Sequence, residues 1–245
     1  MTMPPSQERK LYDAFAPGVA YIAVEDCEGK PSIGTCFHIG DSVFVTAKHV
    51  VEKMRITRIA TTYTGLTTVG GGPGGSYIAG DWKLVNGPHF HPNGDYDLAA
   101  MRLKGRGAPQ IPFEDISDED SDALLLRSVV VMGFPPIPGS RSPVLVCARA
   151  EVNASFVTYF DNQRILVVSC LARGGFSGGP ALTPPHHCLG VVTRAVLKER
   201  QPEELGFMAV VGPMPVLELL HHHNMMPAYL REQIWNRHKS EKKRA

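Results

Sequence analysis

The chain is written in short apolar runs rich in β-branched residues, each closed by turn formers, and that spacing restricts it to an all-β fold. The first series comprises Tyr21–Val24, Gly34–Ile39, Val43–Thr46, Ile56–Thr62, Lys83–Val85 and Leu98–Leu103. The second comprises Ser128–Gly133, Val144–Ala148, Ala154–Phe160, Ile165–Ser169, Pro180–Leu182, Leu189–Val196 and Phe207–Val211. Repeated short strands at such intervals build a sandwich or a barrel, and two series build two units. A chain of 245 residues, 43% of them hydrophobic, has enough apolar surface to fill both.

Within the second series lies Gly174-Gly175-Phe176-Ser177-Gly178-Gly179-Pro180, one hydroxyl among glycines that can bend tightly and aim backbone amides at a reacting carbonyl. Serine alone is a weak nucleophile at neutral pH. It needs a histidine to take its proton and a third group to orient that histidine. Two upstream residues have suitable settings: His49 follows a strand–turn–strand unit around Gly40-Asp41, and Asp97 opens the apolar run Leu98–Leu103. Taken singly, each has an ordinary reading as a turn serine, a partnered surface histidine or a capping aspartate.

Taken together, Thr46-Ala47-Lys48-His49, Asp97-Leu98-Ala99 and Gly175-Phe176-Ser177-Gly178-Gly179-Pro180 resemble the motifs of the chymotrypsin-like (trypsin-fold) serine proteases. The likeness is to the bacterial-type branch of HtrA and V8-like enzymes, as a peptidase domain without a PDZ module. His49, Asp97 and Ser177 come in the family's order, 48 and 80 residues apart, and the likeness covers most of the chain.

This resemblance implies two six-stranded Greek-key β-barrels with a carboxy-terminal helix. Residues 1–112 would form the barrel carrying His49 and Asp97, residues 113–127 a linker, residues 128–213 the barrel carrying Ser177, and residues 214–245 the helix and a basic tail. It also implies peptide-bond hydrolysis through an acyl-enzyme, with the amides of Gly175 and Ser177 as the oxyanion hole.

Thr193, Arg194 and Ala195 fall on the strand that pairs with substrate backbone in the family, Thr193 beside the acid. Leu171 falls at the base of the specificity pocket, with Ala195 and Met208 as walls. These pocket positions are apolar, so cleavage after a small or medium apolar residue is expected. Phe176 stands where the animal enzymes carry an aspartate that pairs with a newly cut amino terminus, and the chain lacks their I-V-G-G start. That form of zymogen activation is therefore not expected. Restraint by a regulatory partner protein, oligomerisation or narrow specificity is expected instead.

Two other readings compete. Gly175-Phe176-Ser177-Gly178-Gly179 also fits the G-x-S-x-G elbow of α/β hydrolases, but that elbow opens a helix, and here Pro180, Pro184 and Pro185 follow. Its acid and base would have to come from Glu203, Glu204 or Glu218 and His221–His223. The non-enzyme reading is a catalytically gated or inactive protease-fold module that binds peptides.

Composition trims the remaining classes. A net charge of +1 gives no electrostatic reason to bind nucleic acid or an anionic membrane. Met1–Glu8 is polar and no run reaches membrane-spanning length, which points to a cytoplasmic protein. The five cysteines, Cys27, Cys36, Cys147, Cys170 and Cys188, have no tight spacing, and free, mostly buried thiols are expected.

No cofactor or metal is expected. Asp118–Asp122 lacks the alternation of a calcium loop, Gly70–Ser76 lacks the ending of a phosphate cradle, and His89, His91, His186, His187 and His221–His223 complete no zinc pattern. Val216, Leu217, Leu219 and Leu220 form a helical face, Ala228–His238 reads as a second helix, and Lys239–Arg244 as a frayed tail.

Overall fold

The computed structural model describes residues 6–61, 80–105, 107–113, 123–159, 163–170, 174–184, 187–195 and 206–235. The glycine-rich stretch 70–76, the acidic stretch 118–122 and Leu171 lie outside them.

Among the described residues, twelve strands form two closed antiparallel barrels. The first holds β1 (Val19–Glu25), β2 (Pro31–Gly40), β3 (Val43–Thr46), β4 (Arg55–Thr61), β5 (Gly80–Phe90) and β6 (Ala99–Lys104), in the spatial order β1-β2-β3-β6-β5-β4. The second holds β7 (Ser128–Gly133), β8 (Val146–Val157), β9 (Arg164–Val168), β10 (Pro180–Thr183), β11 (His187–Ala195) and β12 (Met208–Val211), in the equivalent order β7-β8-β9-β12-β11-β10. Closure pairs each strand with two neighbours, while Thr193–Ala195 of β11 run past the start of β10, whose first residue Pro180 pairs with Val191.

Alternation along the strands explains how two barrels make one molecule. On β1, Ala20, Ile22 and Val24 join an apolar cluster made wholly of first-barrel residues, while Val19 and Tyr21 face a cluster shared between the barrels. On β7, Val129 and Val131 point into the second barrel's own cluster, and Val130 and Met132 meet the shared one. Strands at the junction are thus apolar on both faces, and they read in sequence as continuous runs.

The runs Val144–Ala148 and Ala154–Phe160, expected to lie on separate strands, both contribute to one strand, β8 (Val146–Val157). The intervening Arg149, Glu151 and Asn153 look like a break, but they face outward while Ala150 and Val152 are buried between them. That is ordinary alternation in a strand with one wet face.

Helices tie the ends of the chain across the junction. α1 (Gln7–Phe15) was not expected from the polar amino terminus. It is capped by Ser6, whose side chain accepts from Arg9 N at 3.2 Å, and it buries Leu11 and Phe15 in the shared cluster. After the short α2 (Lys48–Val51), α3 (Pro213–His222) begins with proline in its first turn and buries Val216, Leu219 and Leu220. A fourth helix, α4, covers residues 228–235, and its Ala228 N donates to Asp41 Oδ2 at 2.8 Å, in the β2–β3 turn.

All five cysteines are free thiols, with Cys36, Cys170 and Cys188 buried. No helix among the described residues is long and apolar enough to cross a membrane.

Candidate active site

His49 leaves β3 on the single turn α2. Val50 and Val51 are buried among first-barrel residues, which turns the preceding side chain outward and leaves the imidazole half-exposed. Asp97 grips it twice. His49 N donates to Asp97 Oδ1 at 2.9 Å, and Nδ1 lies 2.7 Å from Oδ2. A carboxylate at Nδ1 requires the proton there, so Nε2 carries the free lone pair that a general base needs.

The loop before Asp97 is itself pinned. Asp95 N donates to Asn93 Oδ1 at 3.1 Å, Leu98 N to Tyr96 O at 2.9 Å, and Lys48 Nζ to Gly94 O at 3.0 Å. Lys48 therefore ties the loop before Asp97 to the helix that carries His49. Behind it, buried His91 accepts from Asn93 N at 3.1 Å through Nδ1, and its Nε2 stands 3.4 Å from Glu218 of α3.

Ser177 comes from the second barrel, on a loop fastened at three places. Gly178 N donates to Val192 O at 2.7 Å and Val192 N to Gly179 O at 2.8 Å, which staples the loop to β11. Phe176 is buried in the second barrel's apolar cluster and anchors the loop from beneath. Thr35 N donates to Ser177 O at 2.9 Å, joining it to β2. The approach is so close that a Cβ on Gly178 would lie on Thr35 O and Thr46 Oγ1, and 3.0 Å from Ala47 N, two residues before His49. The junction thus carries Ser177 to the end of the strand from which His49 departs. The Ser177 hydroxyl makes no hydrogen bond to His49 among the described residues.

The N–H groups of Gly175 and Ser177 donate to no group among the described residues, whereas both carbonyls are engaged. Gly175 has φ +95, a backbone that glycine adopts freely, and its O accepts from Thr35 Oγ1 at 2.6 Å and from Phe134 N at 3.1 Å. This leaves two unspent donors flanking the serine, as an oxyanion site requires.

Other expected site residues divide by position. Thr193 is buried on β11, its hydroxyl 3.5 Å from Ala209 O, and none of the hydrogen bonds among the described residues joins it to Asp97. Met208 is buried and pairs with Ala195 across the β11–β12 ladder, with Arg194 preceding Ala195 on β11. Of the histidine groups, His89 stacks on His223 with ring centroids 4.7 Å apart, and His223 Nε2 donates to Phe90 O at 2.8 Å. No group of three or more metal-ligating side chains gathers among the described residues. The acid-loop pin Lys48 and the buried Thr35 were missed in sequence, because nothing in one-dimensional spacing marks a lysine or threonine as spanning to a distant loop.

Residues 34–191 match the trypsin-like peptidase domain family. No curated protein is a match to the chain by sequence. Among solved structures, the Rv3671c protease from M. tuberculosis in its active form superposes with TM-score 0.62 at 18% identity, over 90% of this chain and 93% of that one. The HtrA-type protease AlgW with a tripeptide gives TM-score 0.62 at 15% identity over 89% of this chain, which spans 63% of AlgW. A serine endoprotease from Yersinia pestis gives 0.60 at 17% identity, over 90% of this chain and 67% of that one. The likeness at these identities establishes the fold, the two-barrel fold of trypsin-like peptidases.

Proposed function

The chain belongs to the trypsin-like peptidase domain family, and from that membership we propose that it is a serine endopeptidase acting through His49, Asp97 and Ser177. His49 Nε2 takes the Ser177 proton as Oγ bonds to the substrate carbonyl carbon. The resulting oxyanion is met by the amides of Gly175 and Ser177. As the tetrahedral species collapses, the C–N bond breaks and His49 returns the proton to the leaving amine. Water, deprotonated by the same nitrogen, then releases the acyl group.

The observation that carries this reading is the two-point clamp of Asp97 on His49, at 2.9 and 2.7 Å, beside a loop whose two flanking amides are unspent. Loss of one such amide typically costs about 3 kcal/mol of transition-state stabilisation. Substrate would lie along β11, with Thr193, Arg194 and Ala195 pairing to its backbone and the Met208 and Ala195 positions favouring an apolar residue before the cut. Activity is restrained by narrow specificity or by a partner protein, in a cytoplasmic setting.

A second reading, a gated peptide-binding module, has one observation in its favour: the Ser177 hydroxyl is not bonded to His49. Such bonds are often long in ligand-free enzymes and tighten with substrate.

The test is digestion of a mixed peptide library, with cleavage sites mapped by mass spectrometry. The proposal expects cuts after small and medium apolar residues, absent with Ser177→Ala. Cuts that persist in Ser177→Ala would refute it.

A further inference from the structure

Thr35 is fully buried on β2 of the first barrel, yet its N–H and hydroxyl are spent on the loop of the second barrel that carries Ser177. Its N–H donates to Ser177 O at 2.9 Å and its hydroxyl donates to Gly175 O at 2.6 Å. The same hydroxyl accepts from Phe134 N at 3.0 Å, and Thr35 O accepts from Thr46 Oγ1 at 2.6 Å. One residue therefore holds the carbonyls of both residues whose amides face the oxyanion in the proposed reaction. The Gly175 carbonyl shares its peptide plane with Phe176 N, so pinning it fixes the plane that lies between the Gly175 and Ser177 amides and restricts the torsions that set the direction of both N–H groups.

We propose that Thr35 is a positioning residue for the oxyanion hole, its hydroxyl holding the Gly175 carbonyl so that the Gly175 and Ser177 amides stay aimed at the reacting oxygen. This inference rests on the serine-hydrolase reading of the site. The short charge-neutral bond at 2.6 Å is buried, where a hydrogen bond is stronger than in solvent. The arrangement also makes the site depend on docking of the two barrels, because the donor of the bond belongs to one and the acceptor to the other.

The decisive variant is Thr35→Val, which puts a methyl group of similar size in place of the hydroxyl and so abolishes its hydrogen bonds. Phe134 N and Gly175 O stay paired with each other at 3.1 Å, so neither is left without a partner. The variants are compared using p-nitrophenyl acetate, with kcat expressed per active site titrated by a fluorophosphonate.

The expected result is a kcat lowered about 10- to 100-fold in Thr35→Val, since small misplacements in an active site cost rates of that order. KM stays unchanged, and Thr35→Ser, which retains the hydroxyl, restores the wild-type kcat. A purely structural role would instead lower thermal stability and the titratable fraction while leaving kcat per site intact, and that result would overturn the proposal. If Thr35→Val does not fold, Thr35→Cys, with its weaker donor, is compared with Thr35→Ser, and equal kcat values overturn it. Wild type that neither labels nor turns over would instead overturn the hydrolase reading, so the two failures are distinguishable.

Discussion

At Gly178 the backbone sits at φ +85 against the carbonyl of Thr35 and the hydroxyl of Thr46, and a methyl group has nowhere to go. Gly178→Ala is expected to cost about 3 kcal/mol from strain and overpacking, and to lift Ser177 away from His49. Urea denaturation and fluorophosphonate labelling would show both losses. Phe176 acts on the same loop from beneath. Where a charged aspartate would need a partner, its ring is held by burial alone, and Phe176→Ala is expected to lower stability by about 3 kcal/mol. Asp97→Asn would keep the fold and lower kcat about 10⁴-fold, because the amide no longer holds the proton on Nδ1. These residues are legible in sequence because the chemistry demands particular side chains at particular neighbours. Thr35 is not, since its role arises only when two barrels meet.

Elements differ in how openly they are written. β3 and β7 are short, buried and bounded by turns, so their limits stand out, whereas β8 hides its continuity behind outward Arg149, Glu151 and Asn153. α1 carries a local signal, Ser6 three residues before Arg9 and Leu11 four before Phe15, that is too brief to outweigh a polar terminus. The cap on α4 has no local signal, because Asp41 accepts from Ala228 N across 187 residues of sequence. Asp41→Ala is expected to destabilise the protein by about 1 kcal/mol, as removal of a helix cap does, and thermal unfolding would register it without loss of labelling.

Across the whole molecule, stability should depend on pH through a histidine that is not one of the candidate site residues. Burial lowers the pKa of His38, whose Nδ1 lies 3.2 Å from Pro109 O on the chain leaving the first barrel. The unfolded chain then takes up a proton near the ordinary histidine value while the folded one resists. That contribution is full above pH 6.5 and is lost as pH falls below it toward the lowered folded value. Urea midpoints measured at pH 7.5 and 5.5 should fall more steeply in wild type than in His38→Asn.

The same scale holds the central claim, that docking of two barrels assembles a reactive serine from His49 and Asp97 on one and Ser177 on the other. The most direct measurement is fluorophosphonate labelling of the purified full chain, with the modified residue located by peptide mass spectrometry, in wild type, His49→Ala and Ser177→Ala. The account predicts one label, on Ser177, in wild type and none in either folded variant. A label elsewhere, or equal labelling of Ser177 in His49→Ala, would contradict it.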